Sequence, residues 1–238
     1  MRANGHIYSS VPLRNLPWLS SEQMREVDRI AVEEFGLQIL QMMENAGRAL
    51  AEVAIELFNP KIALVVAGSG GNGGEGLAAA RHLCNRGLDV SVCFVSPVSE
   101  MSREAAIQTG IIAAMSIGTV EEVVTTDLLI DALFGYGLNR PPEGGAKSLI
   151  EQINDSPSAV LSLDVPSGLD ATTGNAPGAV VWADATLTLA LPKRGLVGAE
   201  QVGELYITDV SVPPGVYEKA GIATPPVIFD RSQILRLI

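Results

Sequence analysis

Basic residues, aromatics and cysteines are all scarce in this chain of 238 residues. There are 16 Lys and Arg against 27 Asp and Glu, a formal charge of −11. No basic cluster exists to neutralise phosphates, so a nucleic-acid-binding role through counterion release is excluded. Aromatics make up 5% of the chain, too few for a base-stacking platform. The two cysteines, Cys84 and Cys93, both fall in apolar patterns without CxxC or Cys/His spacing. They are expected to be reduced core residues of a cytoplasmic protein. No apolar run reaches the roughly 20 residues of a membrane helix, and the first twenty residues lack the apolar core of a secretory signal. Only two histidines occur, His6 and His82, and neither is assigned to catalysis.

What remains is 47% hydrophobic and rich in glycine, enough for one sizeable α/β core. Residues 1–19 read as an N-terminal extension lying on the surface or on a partner. Ser20 or Ser21 opens a helix that Gly36 stops, and a second helix runs from Ile39 to Phe58. Strands and helices then alternate. Strands are expected at 62–67, 90–95, 127–133, 159–164, 184–190 and 204–208. Helices are expected at 76–86, 102–114 and 145–154, with a short strand near 115–117 and a weak helix at 119–124. This alternation predicts a three-layer α/β/α sandwich, a Rossmann-like doubly wound domain whose sheet is mostly parallel. Residues 20–238 are expected to form that single domain.

In such a sheet, ligands collect at the carboxyl ends of the strands. The first strand ends in Gly68-Ser-Gly-Gly-Asn-Gly-Gly-Glu-Gly76, read here as a loop that brings backbone close to a ligand. It lacks the Gly-Lys-Ser/Thr ending of a P-loop. The second strand ends in Val95-Ser96-Pro97, without an acid for a ribose hydroxyl, which disfavours a dehydrogenase. Asp164-Val-Pro-Ser-Gly168 can present a carboxylate and a hydroxyl to one pocket, or can close an Asx turn on itself. Asp131 lies in a very apolar strand, where a carboxylate must be paired, capped or bound to a cation. Together with Asn72 and Ser167 it would suit a monovalent cation, whereas a divalent ion would want more charge. Lys193 reads either as a phosphate contact or as a solvated basic turn.

These segments carry a resemblance. Met43-Glu-Asn-Ala-Gly-Arg48, the glycine segment through Ala80-Arg-His-Leu83, Asp131-Ala-Leu-Phe-Gly-Tyr-Gly137, Leu163-Asp-Val-Pro-Ser-Gly-Leu-Asp170 and Pro192-Lys-Arg-Gly-Leu196 occur in one order. Over about residues 20–215 the chain resembles the NAD(P)H-hydrate epimerase family, the YjeF N-terminal domain that includes the apolipoprotein A-I-binding protein. The resemblance implies an isomerase that interconverts the R and S forms of hydrated NADH or NADPH. It also implies bound potassium, held by Asn72, Asp131 and Ser167. Gly71, Asn72, Gly73, Gly74 and Glu75 would line the substrate site with Gly135, Tyr136, Gly137, Leu138, Asn139, Arg140 and Pro141. Lys193 would join them, and Asp164 would contact the substrate as acid and base. Gly71 stands where the family usually has Asn, and Glu75 where it usually has Asp. The implied partners are the small-molecule substrate, a separate S-specific dehydratase and, as in other family members, a second copy of the chain. The competing expectations are a non-catalytic nucleotide-binding or protein-interaction module, and an enzyme acting on another nucleotide or sugar phosphate.

Overall fold

A computed structural model describes residues 8–223, 225 and 227–238. His6, in the extension, lies outside the described residues. Helix α1 (Ser21–Glu33) begins where the sequence says it should. The Ser20 hydroxyl accepts from the Gln23 amide, and the Gln23 side chain accepts from the Ser20 amide. Gly36, with φ +72°, ends the segment after it. Helix α2 (Ile39–Phe58) buries Met43, Ala46, Leu50 and Val53 along one stripe.

Among the described residues the sheet has nine strands. They are β1 (Ser10–Val11), β2 (Ile62–Ala67), β3 (Asp89–Phe94), β4 (Gly118–Val120), β5 (Leu128–Ala132), β6 (Ala159–Leu163), β7 (Ala185–Leu189), β8 (Glu204–Thr208) and β9 (Ile234–Leu237). Their spatial order is β1-β9-β8-β7-β6-β5-β2-β3-β4. Every pairing is parallel except β8 with β9. Both faces are covered, and the two-residue period of β2 shows how. Ala63, Val65 and Ala67 pack into one core with α1 and α2, while Leu64 and Val66 pack into another with Leu149, Ile150 and Ile153. Those three residues belong to α5 (Gly144–Asp155). The remaining helices are α3 (Gly71–Cys84), α4 (Arg103–Ala114) and α6 (Pro214–Lys219).

Several expectations need correcting. The described part of the N-terminal extension, expected on the surface or on a partner, is built into the fold: β1 joins the sheet beside β9, and Leu16 and Leu19 are buried. The short strand falls at Gly118–Val120 rather than 115–117, and no helix forms at 119–124. β9 and α6 lie beyond the last strand read from the sequence.

The glycine segment also differs from the loop expected of it. α3 starts at Gly71, so Asn72 through Gly76 are helical, and none of the glycines from Gly68 to Gly76 has positive φ. Their job is close packing. A Cβ on Gly73 would sit 1.8 Å from the Gly68 carbonyl oxygen, and one on Gly76 would sit 2.4 Å from Ala132 Cβ. Small residues thus let α3 press its first turns onto β5 and α2. Gly73→Ala should therefore lose roughly 2–3 kcal/mol in urea unfolding. Gly71, with nothing within 4 Å of its added Cβ, should tolerate Ala within about 1 kcal/mol, with gain favoured by helix propensity. Equal costs at the two positions would contradict the packing account.

Candidate functional site

β2 leads outward to β3 and β4 on one side of the sheet, while β5 lies on its other side. The chain reverses direction between β2 and β5, and the crevice opens at their carboxyl ends. A cavity of about 910 Å³ occupies it, near the upper end of the ~300–1,000 Å³ usual for small-molecule sites. Its walls include Gly71, Asn72 and Glu75 from the start of α3, and Gly135 through Pro141 after β5. Asp164 and Lys193 close it from the ends of β6 and β7.

Two strained turns put those last residues there. β6 and β7 each run into a three-residue turn closed by an i→i+2 hydrogen bond, Val165 N to Leu163 O at 2.8 Å and Leu191 N to Leu189 O at 2.7 Å. Their central residues, Asp164 and Ala190, have φ of +66° and +60°. A left-handed non-glycine residue costs about 1–3 kcal/mol and persists only where its surroundings hold it. Here the holding is done by the Asp164 carboxylate. It pairs with Lys193 Nζ, accepts from the Tyr136 amide at 3.0 Å, and lies 3.4 Å from the Leu189 amide. Lys193 is 1% exposed, and its ammonium also donates to the Leu189 carbonyl at 2.8 Å. Lys193 is therefore a buried partner of Asp164, not a solvated turn. A segment preceding α1 braces it: Leu19 N donates to Pro192 O, and Arg194 N donates to Leu19 O, each at 2.9 Å.

Asp131 lies beneath this layer, fully buried in β5. Its carboxylate accepts from Ser162 Oγ at 2.8 Å, from Ser167 N at 2.9 Å and from Ser167 Oγ at 2.6 Å. Burial still pushes its pKa up, with the serine hydrogen bonds opposing. Ser167 Oγ accepts in turn from the Phe134 amide at 2.9 Å, which ties Asp131 to the start of the turn after β5. Asn72 approaches from the other side. Gly135 separates it from Asp164: a Cβ there would lie 2.9 Å from Asp164 Oδ2 and 3.0 Å from Asn72 Oδ1. Asn72 Nδ2 is buried without a hydrogen-bond partner.

Most residues proposed from the sequence for the substrate site meet at this cavity, with two exceptions. Gly73 and Gly74 do not line it. They are buried against Gly68 and the Met43 side chain, because α3 begins two residues before Gly73 and turns both inward. Asp131 and Ser167 lie behind the wall instead of in it. His82 faces α2, where its Nε2 lies 2.8 Å from Glu44 and neighbouring Arg81 pairs with the same carboxylate. The sequence reading missed Asp28, a cavity residue on α1 whose carboxylate accepts from the Tyr136 hydroxyl. A signal existed. Asp28 falls one turn after Met24 and three residues before Ala31, inside the apolar stripe of α1.

A family model described as YjeF-related protein N-terminus matches residues 39–195. The chain belongs to this family. It is 42% identical over 221 residues to an NAD(P)H-hydrate epimerase of Dehalogenimonas lykanthroporepellens, covering 90% of each chain. It is 35% identical over 213 residues to a protein of the same description from Rhodopirellula baltica, covering 85% of this chain and 87% of that one. A bifunctional NAD(P)H-hydrate repair enzyme of Thermofilum pendens is 40% identical over 211 residues, and the chain spans 40% of its length. The crystal structure of the yeast protein ynu0 superposes with a TM-score of 0.82 at 24% identity, covering 93% of this chain and all of that one, which shows the shared fold.

Glu75 carries the most perturbed carboxyl of the site. Burial raises its pKa well above the usual range, and the nearby Asp164 and Asp28 charges raise it further. The folded state thus binds a proton that the unfolded state releases above about pH 4.5. Its stabilising effect is complete below that pH and fades as pH rises through the folded value. Glu75→Gln should match wild type near pH 4 and become progressively more stable than it toward neutral pH in urea unfolding. A difference independent of pH would contradict this electrostatic reading.

Proposed function

We propose that this chain is an NAD(P)H-hydrate epimerase, interconverting the R and S forms of hydrated NADH or NADPH. The observation that carries the reading is the buried Asp164–Lys193 pair facing a dinucleotide-sized cavity at the sheet's reversal point. The names of the two full-length relatives agree with it.

The chemistry asks little of the protein. The carbon to be inverted bears a hydroxyl and adjoins the ring nitrogen. Asp164 accepts from the Lys193 ammonium and relays a proton from it to the hydroxyl oxygen. The C–O bond breaks with its electron pair leaving on water, and the nitrogen lone pair forms a C=N bond. Water then adds to the opposite face and returns a proton to the carboxylate. Such acid–base help is worth roughly 10²–10⁴-fold. The Asp164 carboxylate also lies beside the cationic ring, which it stabilises in a site shielded from water. Glu75, whose pKa burial and its acidic neighbours raise, lines the same cavity.

The donor set suits potassium. Asn72, Asp131 and Ser167 can offer an amide, a carboxylate and a hydroxyl oxygen, with a single buried carboxylate among them. A cation held by these residues would fix the turns around Phe134 and offset the charge of Asp131. Among the described residues no helix is long and apolar enough to cross a membrane. We place the protein in the cytoplasm, as a homodimer. The dehydratase that consumes the S form we place outside residues 1–238.

Chiral separation of the two hydrated-NADH epimers tests the function. Wild type should bring an R-enriched sample to equilibrium well ahead of the spontaneous rate. Asp164→Asn should lose about 10²-fold or more of that acceleration while keeping its circular dichroism spectrum. Replacing potassium with tetramethylammonium should lower the melting temperature. Wild type no faster than solvent would remove the epimerase reading. Full turnover by Asp164→Asn would remove Asp164 from it, and an unchanged melting temperature would remove the cation.

A further inference from the structure

Asp28 lies outside residues 39–195, the segment matched by the family model. It nevertheless reaches the centre of the site. Its carboxylate accepts from the Tyr136 hydroxyl, and both residues line the cavity. Tyr136 makes two further contacts. Its backbone N–H donates to Asp164 Oδ2 at 3.0 Å, and its ring faces the Lys193 ammonium at 5.9 Å. One tyrosine between Gly135 and Gly137 therefore touches α1, Asp164 and Lys193 together. Two flanking glycines leave that stretch of backbone little conformational restraint of its own.

We propose that Asp28 is a positioning residue: through the Tyr136 hydroxyl it clamps the Gly135-Tyr136-Gly137 turn so that the Tyr136 amide aims the Asp164 carboxylate at the substrate. This rests on the epimerase reading for its kinetic consequence, though not for its structural one. The clamp needs a phenol that keeps its proton, and burial with the neighbouring Asp28 charge raises the Tyr136 pKa. It also needs an acceptor without competition. Asp28 is held on the inner face of α1, and the Tyr136 hydrogen bond opposes the upward shift that burial imposes on its carboxyl. Asp164 is held in a left-handed conformation, so its orientation depends on such partners. Removing the clamp should slow chemistry more than binding, because the misplaced group acts on the reacting atoms.

Hydrogen exchange at the Tyr136 amide reads the clamp directly, and steady-state epimerisation reads its effect. Tyr136→Phe and Asp28→Ala should each speed exchange of the residue-136 amide about tenfold or more. Each should lower kcat by about tenfold or more with KM within about threefold, and the double variant should be no worse than the poorer single one. Asp28→Asn, which keeps an acceptor, should stay within about threefold of wild type in both readouts. Unchanged amide exchange in Tyr136→Phe and Asp28→Ala would overturn the inference whatever the activity. So would additive kinetic losses, or an Asp28→Asn variant as poor as Asp28→Ala. Inactive wild type with tenfold faster exchange in the variants would overturn the epimerase reading alone and leave the clamp standing.

Discussion

A buried ion pair organises this molecule. Asp164 and Lys193 are 3% and 1% exposed, and neither could be buried alone at tolerable cost. Losing one partner of such a pair costs about 3–5 kcal/mol, more than the ~1–3 kcal/mol of a left-handed non-glycine residue. The pair is therefore strong enough to hold Asp164 in its strained turn. The strain is what turns the carboxylate out of the sheet and toward the cavity. Many surrounding features serve the same end. Leu19 braces the Lys193 segment, Tyr136 bonds to the Asp164 carboxylate, and Gly135 leaves space for it.

A second buried carboxylate supports the layer below. Asp131 sits in a strand with no exposed residue, and Ser162 and Ser167 satisfy it. Ser167 passes that connection to the Phe134 amide, where the turn carrying Gly135 and Tyr136 begins. The two acids have different work. Asp131 fixes backbone, and Asp164 faces the cavity. The apolar strands and the glycine-lined contact between α3 and β5 keep both in place.

Much of this was legible in the sequence, for identifiable reasons. Ser20 with Gln23 marked the start of α1, and the apolar period marked α2 over its full length. Six parallel strands were visible because burial on both faces keeps each one short, mostly apolar and bounded by turn residues. The strand ends that line the cavity were visible because topology sends them to one edge. What stayed hidden depends on contacts distant in sequence. The glycines of α3 resembled a flexible loop, since nothing local tells backbone freedom from close packing against Ala132 and Met43. The Asp28–Tyr136 bond spans 108 residues, and Lys193 could be known as a buried partner only once β6 and β7 were side by side. β9, the antiparallel strand, lies past a proline-rich stretch that hid its pairing.

The central claim is that Asp164 meets the carbon–oxygen bond being broken. A crystal structure with hydrated NADH bound tests it most directly. The account predicts the ring hydroxyl oxygen within about 2.6–3.2 Å of the Asp164 carboxylate, with Lys193 still at its other side. A hydrated ring bound elsewhere in the cavity, with Asp164 touching only Lys193 and the Tyr136 amide, would contradict it.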